Sequence, residues 1–299
     1  MSGAGQYSVG RGRAELALVV VALIWGSAFV VVKEALADVS TFAFLGLRFA
    51  IAAVLLAVVL RKHLGRARVA EWKGGMVCSG LLFLGFALQT AGLRVTTASK
   101  SAFLTGLYIV LVPLLGSFVK RSRPRWMELA GAVLATAGTA LMTSGGLDAH
   151  LNLGDAMTAG CAVAFAAHLL AVEHYSRKMD YERLSLYQVA GVALLSGLAA
   201  GSVETPRVVW TTALWIGLIT TAVLATALSF ALYTWAQKHT SATKAVLILA
   251  LEPVFAGLVA WALIGEDWSV GSLGGAALIV AGIVLAELKP AQPKLHPVE

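Results

Sequence analysis

Charged side chains are scarce in this chain. Asp, Glu, Lys and Arg together make up 13% of its 299 residues, while hydrophobic residues make up 59%. An ordinary globular domain carries about 25% charged residues, and a chain with so little polar surface cannot cover itself in water. The composition therefore excludes an ordinary soluble protein and predicts a chain embedded in a lipid bilayer.

Cysteines and the short motifs of common enzymes are also rare or absent. Cys78 and Cys161 lie in separate apolar runs, without the spacing of a zinc site or of a disulfide framework. The sequence contains no H-E-x-x-H, G-x-S-x-G or Walker A pattern, and so shows no signature of a metalloprotease, a serine hydrolase or an ATPase. We therefore expect a protein that is not an enzyme, with no catalytic residues, no metal and no cofactor.

Long apolar runs are what the chain has in abundance. Ten of them are separated by charged or turn-forming stretches, and each approaches the ~20 residues that a helix needs to cross a bilayer. They cover residues 15–36, 41–60, 74–93, 98–119, 126–144, 152–172, 184–201, 211–235, 243–264 and 270–288. The sequence therefore predicts an all-α, polytopic membrane protein with ten transmembrane helices.

The basic residues indicate how these helices are oriented. Most of the 23 lysines and arginines fall in segments that share a side with the N-terminus, and such residues concentrate in cytoplasmic loops. This distribution accounts for the net charge of +7 without a nucleic-acid-binding patch. We expect a multi-pass protein of the cell (inner) membrane, with a cytoplasmic N-terminal segment at 1–14 and a cytoplasmic tail at 289–299.

The two halves of the chain resemble each other. An ungapped offset of 140 residues aligns the first four predicted spans with the sixth to ninth, and it pairs Pro113 with Pro253 and Trp25 with Phe165. With a four-residue insertion, glycines of the fifth span match glycines of the tenth, namely Gly131 with Gly275 and Gly138 with Gly282. One offset that serves four successive spans indicates an internal repeat.

Each repeat would hold five spans, the first in residues 15–144 and the second in residues 152–288. Because five is an odd number, the second repeat must enter the membrane from the opposite side. Inverted repeats recur in transporters, in which the substrate site lies near the bilayer midplane between the repeats. The pattern favours a transporter with a central cavity and alternating access, although channels and membrane enzymes can also be repeated.

Two charged residues lie deep within predicted spans. At 1.5 Å per residue, Arg48 lies ~12 Å from the outer end of the second span and Glu252 ~13 Å from the inner end of the ninth. A charge at such depth is costly and usually faces a cavity or a partner. We expect the two side chains to approach each other or a shared polar cavity. The alternative is an ion pair that only fixes helix packing.

Two prolines lie inside predicted spans. Pro113 and Pro253 each leave a backbone carbonyl without its helical partner, which is tolerable at this depth only against protein or water. We interpret both as hinge or cavity-shaping residues, and plain helix packing is the alternative.

Aromatic and uncharged polar residues complete the set of candidates. Trp25, Tyr108 and Phe165 form a group at mid-depth that either packs the core or lines a cavity. Further polar candidates within spans are Gln89, His168, Gln188 and Ser229. His168 is predicted near the inner end of the sixth span, where an interfacial position would explain it.

Several short motifs occur in order along residues 15–288. They are Trp25-Gly26-Ser27 followed by Lys33, Arg48-Phe49, Leu251-Glu252-Pro253, Gly265-Glu266, Gly274-Gly275-Ala276 and Gly282. With the ten spans and the repeat, they resemble the EamA-type carriers of the drug/metabolite transporter superfamily, and look most like the branch that includes aromatic amino-acid exporters. The resemblance implies two inverted five-helix halves around a central substrate cavity, and export of metabolites, often amino acids, in bacteria. The first half departs from the pattern, because Lys120-Arg121-Ser122-Arg123 stands where the second half has Gly265-Glu266.

The leading hypothesis is a carrier for amino acids or similar small zwitterions. Arg48 would attract a carboxylate, Glu252 an ammonium group, and the aromatic residues a side chain. The alternatives are an intramembrane lipid-modifying enzyme, a channel, and a carrier of drugs or other metabolites. Glu252 as a lone acid disfavours the enzyme, and the lack of a filter-like sequence disfavours the channel. The oligomeric state is left open.

Overall fold

The computed structural model describes residues 3–64, 69–143, 151–264 and 269–288. Within these ranges the chain is almost entirely helical, and its α-helices are α1 (Gly3–Ala35), α2 (Thr41–Val59), α3 (Val69–Val95), α4 (Ala98–Gly106), α5 (Tyr108–Lys120), α6 (Trp126–Thr143), α7 (Leu153–Ser176), α8 (Tyr181–Ser202), α9 (Thr212–Thr220), α10 (Ser229–His239), α11 (Ala242–Leu249), α12 (Glu252–Ile264) and α13 (Val270–Glu287). The β-structure of this part of the chain is one isolated bridge between Val39 and Val208.

Nine helical stretches in the described ranges are long and apolar enough to cross a membrane. They correspond to nine of the ten predicted spans, and α6 (Trp126–Thr143) is the one that is not among them. Large apolar side chains such as Leu16, Val54 and Leu194 lie on the outer surface, as lipid-facing residues do. The prediction of an all-helical, multi-pass membrane protein is therefore confirmed, while the count of ten spans stays a prediction.

The predicted Gly265-Glu266 motif and the predicted cytoplasmic tail at 289–299 lie outside the described residues. The N-terminal segment is helical from Gly3 onward, and the stretch of α1 that is apolar enough to cross a membrane is Gly12–Ala35.

Two of the membrane-crossing stretches are broken into two helices each. In the fourth predicted span, α4 ends and α5 begins around Leu107. In the ninth, α11 gives way to α12 around Ala250 and Leu251. Pro253 lies two residues beyond the second break, whereas Pro113 lies six residues beyond the first and inside α5. The two prolines are therefore not equivalent relative to the breaks.

The eighth predicted span contains a π-helical segment, Thr221–Leu228, between α9 and α10. In it the Thr226 hydroxyl donates to the carbonyl of Thr221 at 2.8 Å, five residues back. π-Helical turns are rare and often occur at functional sites. This segment faces the interior of the molecule, where it contacts α1 and α2.

Glycines bring α6 and α13 into close contact. A Cβ atom on Gly131 would collide with the carbonyl of Gly282, and one on Gly138 with the carbonyl of Gly275. Because the partner number falls as the α6 number rises, the two helices run antiparallel. Gly275 therefore serves packing within the chain.

Candidate functional site

A cavity of about 90 Å³ lies at the centre of the molecule. Helices from both halves of the chain contribute to its wall, including α1, α2 and α3 from the first half and α7, α10 and α12 from the second. Seven of the candidate residues from the sequence line it: Trp25, Arg48, Gln89, Tyr108, Phe165, His168 and Glu252. The cavity thus brings together residues that lie far apart in the chain.

Arg48 provides the cationic side of the cavity. The side chain is buried, and its Nε donates a 2.8 Å hydrogen bond to the Thr226 hydroxyl in the π-helical segment. Its guanidinium carbon lies 5.4 Å from the ring centre of Phe49 and 5.1 Å from that of Phe86, within the range of cation–π attraction. Among the described residues no carboxylate lies within 4.0 Å of Arg48. Its terminal nitrogens can therefore receive a carboxylate in the two-bond geometry that suits a guanidinium.

Glu252 provides the anionic side. It is the first residue of α12, and Tyr108, which donates a 2.9 Å hydrogen bond to its Oε1, is the first residue of α5. The helices that follow the two breaks therefore each place their first side chain, Tyr108 or Glu252, in the same cavity. The N-terminus of a helix carries partial positive charge, so an acidic side chain is well placed at this position. In the described chain, Arg48 and Glu252 line one cavity and do not form an ion pair with each other.

Aromatic rings form the rest of the wall. Trp25 donates from Nε1 to the carbonyl of Ala225 at 2.9 Å, and its ring lies 5.5 Å from Phe230 and 5.8 Å from Tyr233. Phe165 contacts the edge of Phe86, with ring centres 5.2 Å apart. These rings give an apolar lining to the cavity that also holds Arg48 and Glu252.

A second cavity of about 260 Å³ adjoins the first. Both are lined by Phe29, Thr105, Tyr108 and Glu252, so these side chains form a shared wall. Pro253 lines the second cavity only. Typical ligand pockets occupy about 300–1,000 Å³, and movement of the shared wall would join the two spaces into one of that order.

Gln89 lines the first cavity and is held by a neighbouring hydroxyl. Its amide donates to the Thr105 hydroxyl at 3.1 Å, and that hydroxyl also lies 3.5 Å from the sulfur of Cys161. Ser229 and Pro113 line neither cavity. The Ser229 hydroxyl instead donates to the carbonyl of Leu224, 2.8 Å away within the π-helical segment.

Residues that the sequence did not single out also line the first cavity. These are Phe86, Phe230 and Tyr233. Thr226, which was also not singled out, accepts the hydrogen bond from Arg48 Nε. The interfacial placement of His168 is wrong, because α7 continues to Ser176 and carries His168 into the interior, where its Nε2 lies 2.8 Å from Oε1 of Gln188. The three-residue spacing of Phe230 and Tyr233 along α10 was the one sequence signal that could have identified these two rings as cavity-lining residues.

Comparison with known proteins gives a consistent result. The model of the EamA-like transporter family matches the chain twice, over residues 12–144 and 152–288. An uncharacterized transporter of Archaeoglobus fulgidus is 33% identical over 95% of this chain and 89% of its own length. A Streptantibioticus cattleyicolor protein named as a probable terminal-alkyne amino-acid exporter is 25% identical over 91% of this chain and 93% of its own. A solved crystal structure shares the fold, with a TM-score of 0.78 and 22% identity over 93% of this chain and 97% of the other.

Proposed function

Because the chain belongs to the EamA-like transporter family, we propose that it exports small metabolites of the amino-acid type by alternating access between two inverted repeats. The observation that carries the substrate class is the pair formed by Arg48 and Glu252. They line one cavity together with aromatic rings and are not paired with each other. A zwitterion presents a carboxylate and an ammonium group to such a pair, and apolar parts to the rings.

Desolvation argues for the same class of substrate. A buried charge without a partner is costly, and both charges here would gain one when a zwitterion binds. Hydrogen bonds to charged groups contribute about 1.5–3 kcal/mol each, enough for selective binding of a small molecule. The exporter name of the Streptantibioticus cattleyicolor relative supports this choice.

Contacts across the molecule support the inverted repeats at 15–144 and 152–288. Trp25 bonds to the carbonyl of Ala225, and the Phe165 ring lies against Gly85. Each number of the second contact differs by 140 from one of the first, so the two contacts are copies related by the repeat. The two separate matches of one family model support the same division.

We also propose that α6 crosses the membrane as a tenth span. It packs along α13, which is a candidate span, over two turns. Ten spans place both termini on one side, and the distribution of lysine and arginine assigns that side to the cytoplasm of a bacterial inner membrane. The segments 1–14 and 289–299 then lie in the cytoplasm.

Counterflow in liposomes tests the function. Purified protein is reconstituted into vesicles loaded with one unlabelled amino acid at a time, and uptake of the radiolabelled amino acid is followed. A carrier gives saturable uptake that the internal amino acid accelerates, whereas a channel gives no acceleration. If none of the twenty amino acids accelerates uptake while an unrelated metabolite or drug does, the proposed substrate class is wrong and the transporter assignment stands.

A further inference from the structure

Two lysines occupy matching places at the starts of two helices. Thr97 caps α4, where its hydroxyl accepts a 3.1 Å hydrogen bond from the backbone N–H of Lys100. Ser241 caps α11, where its hydroxyl accepts a 3.2 Å bond from the backbone N–H of Lys244. The two capping sequences are Thr-Ala-Ser-Lys and Ser-Ala-Thr-Lys. The two lysines are therefore copies of one position in the internal repeat, at an offset of 144 residues.

Each lysine contacts an acid in the other half of the chain, and Lys244 also contacts an acid in its own half. The Lys100 Nζ lies 2.7 Å from the Asp155 carboxylate in the first turn of α7. The Lys244 Nζ contacts Glu15 of α1 and lies 2.8 Å from Glu287 at the end of α13. Glu15 and Asp155 are each the fourth residue of a segment matched by the family model. The acids are thus also copies of one position, and the repeat relates the two ion pairs as wholes.

The two ion pairs lie at opposite ends of the membrane-crossing stretch of α1, Gly12–Ala35. Glu15, near its start, contacts Lys244, whereas Lys33, near its end, donates to the carbonyl of Thr96 at 3.0 Å. The Thr96 hydroxyl in turn donates to Asp155 at 2.5 Å, beside Lys100. Eighteen residues of helix separate Glu15 from Lys33, or ~27 Å at 1.5 Å per residue. This separation is close to the ~30 Å thickness of a bilayer core, as expected for two ion pairs that lie near opposite faces of a membrane.

The Lys100 pair borders the transport cavities. Ala98 and Ser99, its neighbours in α4, line the second cavity, and Thr90 and Leu93 of α3 line the first. The Lys100 and Asp155 side chains are only 5% and 3% exposed. Asp155 also forms a capping box with Asn152 at the start of α7, which accounts for the acid. A buried ion pair adds little net stability compared with apolar residues of similar volume, so stability alone does not explain the buried Lys100.

We propose that the two ion pairs are latches, one for each mouth of the transport pathway. The Lys100–Asp155 latch holds α4 against α7 and closes one mouth, and the latch of Lys244 with Glu15 and Glu287 holds α11 against α1 and α13 and closes the other. Each latch opens when its own mouth opens, because its lysine and its acid lie on helices that separate there. The inference rests on the proposed alternating access.

Labelling of a cavity residue from each side tests the latches. Ala28, which lines the first cavity, is replaced by Cys in a background with Cys78→Ala and Cys161→Ala. A membrane-impermeant maleimide is then added to right-side-out and to inside-out vesicles. We expect Lys100→Gln to raise labelling from one side and lower it from the other by about fivefold, the effect of ~1 kcal/mol on a two-state equilibrium. Lys244→Gln should produce the opposite pattern.

Arg183→Gln is the matched control. It breaks another ion pair, in which Arg183 Nη1 lies 2.9 Å from the Glu71 carboxylate, and it should leave the two labelling rates unchanged. Equal or unidirectional shifts in Lys100→Gln and Lys244→Gln would overturn the latches while leaving alternating access in place. If Cys at position 28 is labelled from the same single side in every lysine variant and also in the protein with both lysines intact, alternating access itself is overturned.

Cross-linking covers the case in which a glutamine variant does not fold. Lys100→Cys is combined with Asp155→Cys in the background without Cys78 and Cys161, and the two thiols are joined by a reducible bifunctional methanethiosulfonate that replaces the length of the lysine side chain, since a direct disulfide needs closely spaced Cα atoms. Counterflow is measured before cross-linking, after it and after reduction, and a latch that must open in each cycle will stop counterflow when cross-linked and restore it when reduced. Counterflow that persists after complete cross-linking would show a static pair and overturn the proposal.

Discussion

Arg48 is held by one atom and leaves the others free for a ligand. Its Nε bonds to Thr226 and its plane lies near two rings, so the terminal nitrogens are oriented before any substrate arrives. We expect Arg48→Lys to weaken substrate binding about tenfold or more, because an ammonium group keeps the charge but not the paired donors of a guanidinium. The measurement is the concentration of amino acid that half-saturates counterflow.

A second ligand makes the test of Arg48 specific. The amine that lacks the carboxylate of the same amino acid should be bound equally by the parent protein and by Arg48→Lys. Arg94→Lys serves as the control variant, since Arg94 bonds to Thr41 at 2.7 Å and to the carbonyl of Val39 and lines neither cavity. If Arg94→Lys weakens amino-acid binding as much as Arg48→Lys does, Arg48 is not the carboxylate site.

Tyr108 sets the position of Glu252. Tyr108→Phe removes the 2.9 Å hydrogen bond and keeps the ring, and a net hydrogen bond contributes about 0.5–1.5 kcal/mol, or more when one partner is charged. We expect about a fivefold loss of affinity for the ammonium-bearing substrate in the counterflow assay, the effect of ~1 kcal/mol. Tyr233→Phe is the matched control, because Tyr233 lines the same cavity but its hydroxyl accepts from Gln237 at 3.1 Å. Equal losses in both variants would contradict the role of Tyr108.

At the scale of helices, α6 and α13 depend on a backbone contact. A Cβ atom on Gly275 would lie 2.5 Å from the carbonyl of Gly138, whereas one on the adjacent Gly274 would meet no atom within 4 Å. Since overpacking typically costs 1–3 kcal/mol, we expect Gly275→Ala to lower the thermal unfolding midpoint in detergent and Gly274→Ala to leave it unchanged. A midpoint that falls equally in both variants would contradict this packing role, because helix propensity alone favours alanine over glycine at both positions.

Helix ends were predictable where the chain changes from apolar to polar. The second predicted span, 41–60, corresponds closely to α2 at Thr41–Val59, because turn-forming and basic residues flank a uniform apolar run. The breaks near Leu107 and Leu251 were not predictable, since each lies inside a run that is apolar on both sides. The breaks also mark a different alignment of the two halves from the one read from the sequence. The helix caps at Thr97 and Ser241 correspond at an offset of 144 residues, whereas the ungapped sequence alignment uses 140.

The π-helical segment explains why the candidate site was only partly predictable. Charges deep in apolar runs identified Arg48 and Glu252, because few other causes place a charge there. Ser229 matches Gln89 at the offset of 140, yet its hydroxyl bonds to Leu224. Each added residue turns the following helix by about 100°, so the π-helical turns before Ser229 direct it away from the cavity. Nothing in the composition of Thr221–Leu228 signals those turns.

At the scale of the whole molecule, the number of spans decides the topology. The structure has nine candidate spans in its described ranges, and α6 is the helix in question. α6 packs antiparallel along α13 from Gly131 to Gly138, and this contact supports the proposal that α6 crosses the membrane beside it. We therefore expect a fluorescent reporter that matures only in the cytoplasm to be active at both the N-terminus and the C-terminus. A phosphatase that is active only outside the cytoplasm should be active when inserted between Thr143 and Leu151. Reporters that place the termini on opposite sides would leave nine spans, and the second repeat could not then be an inverted copy of the first.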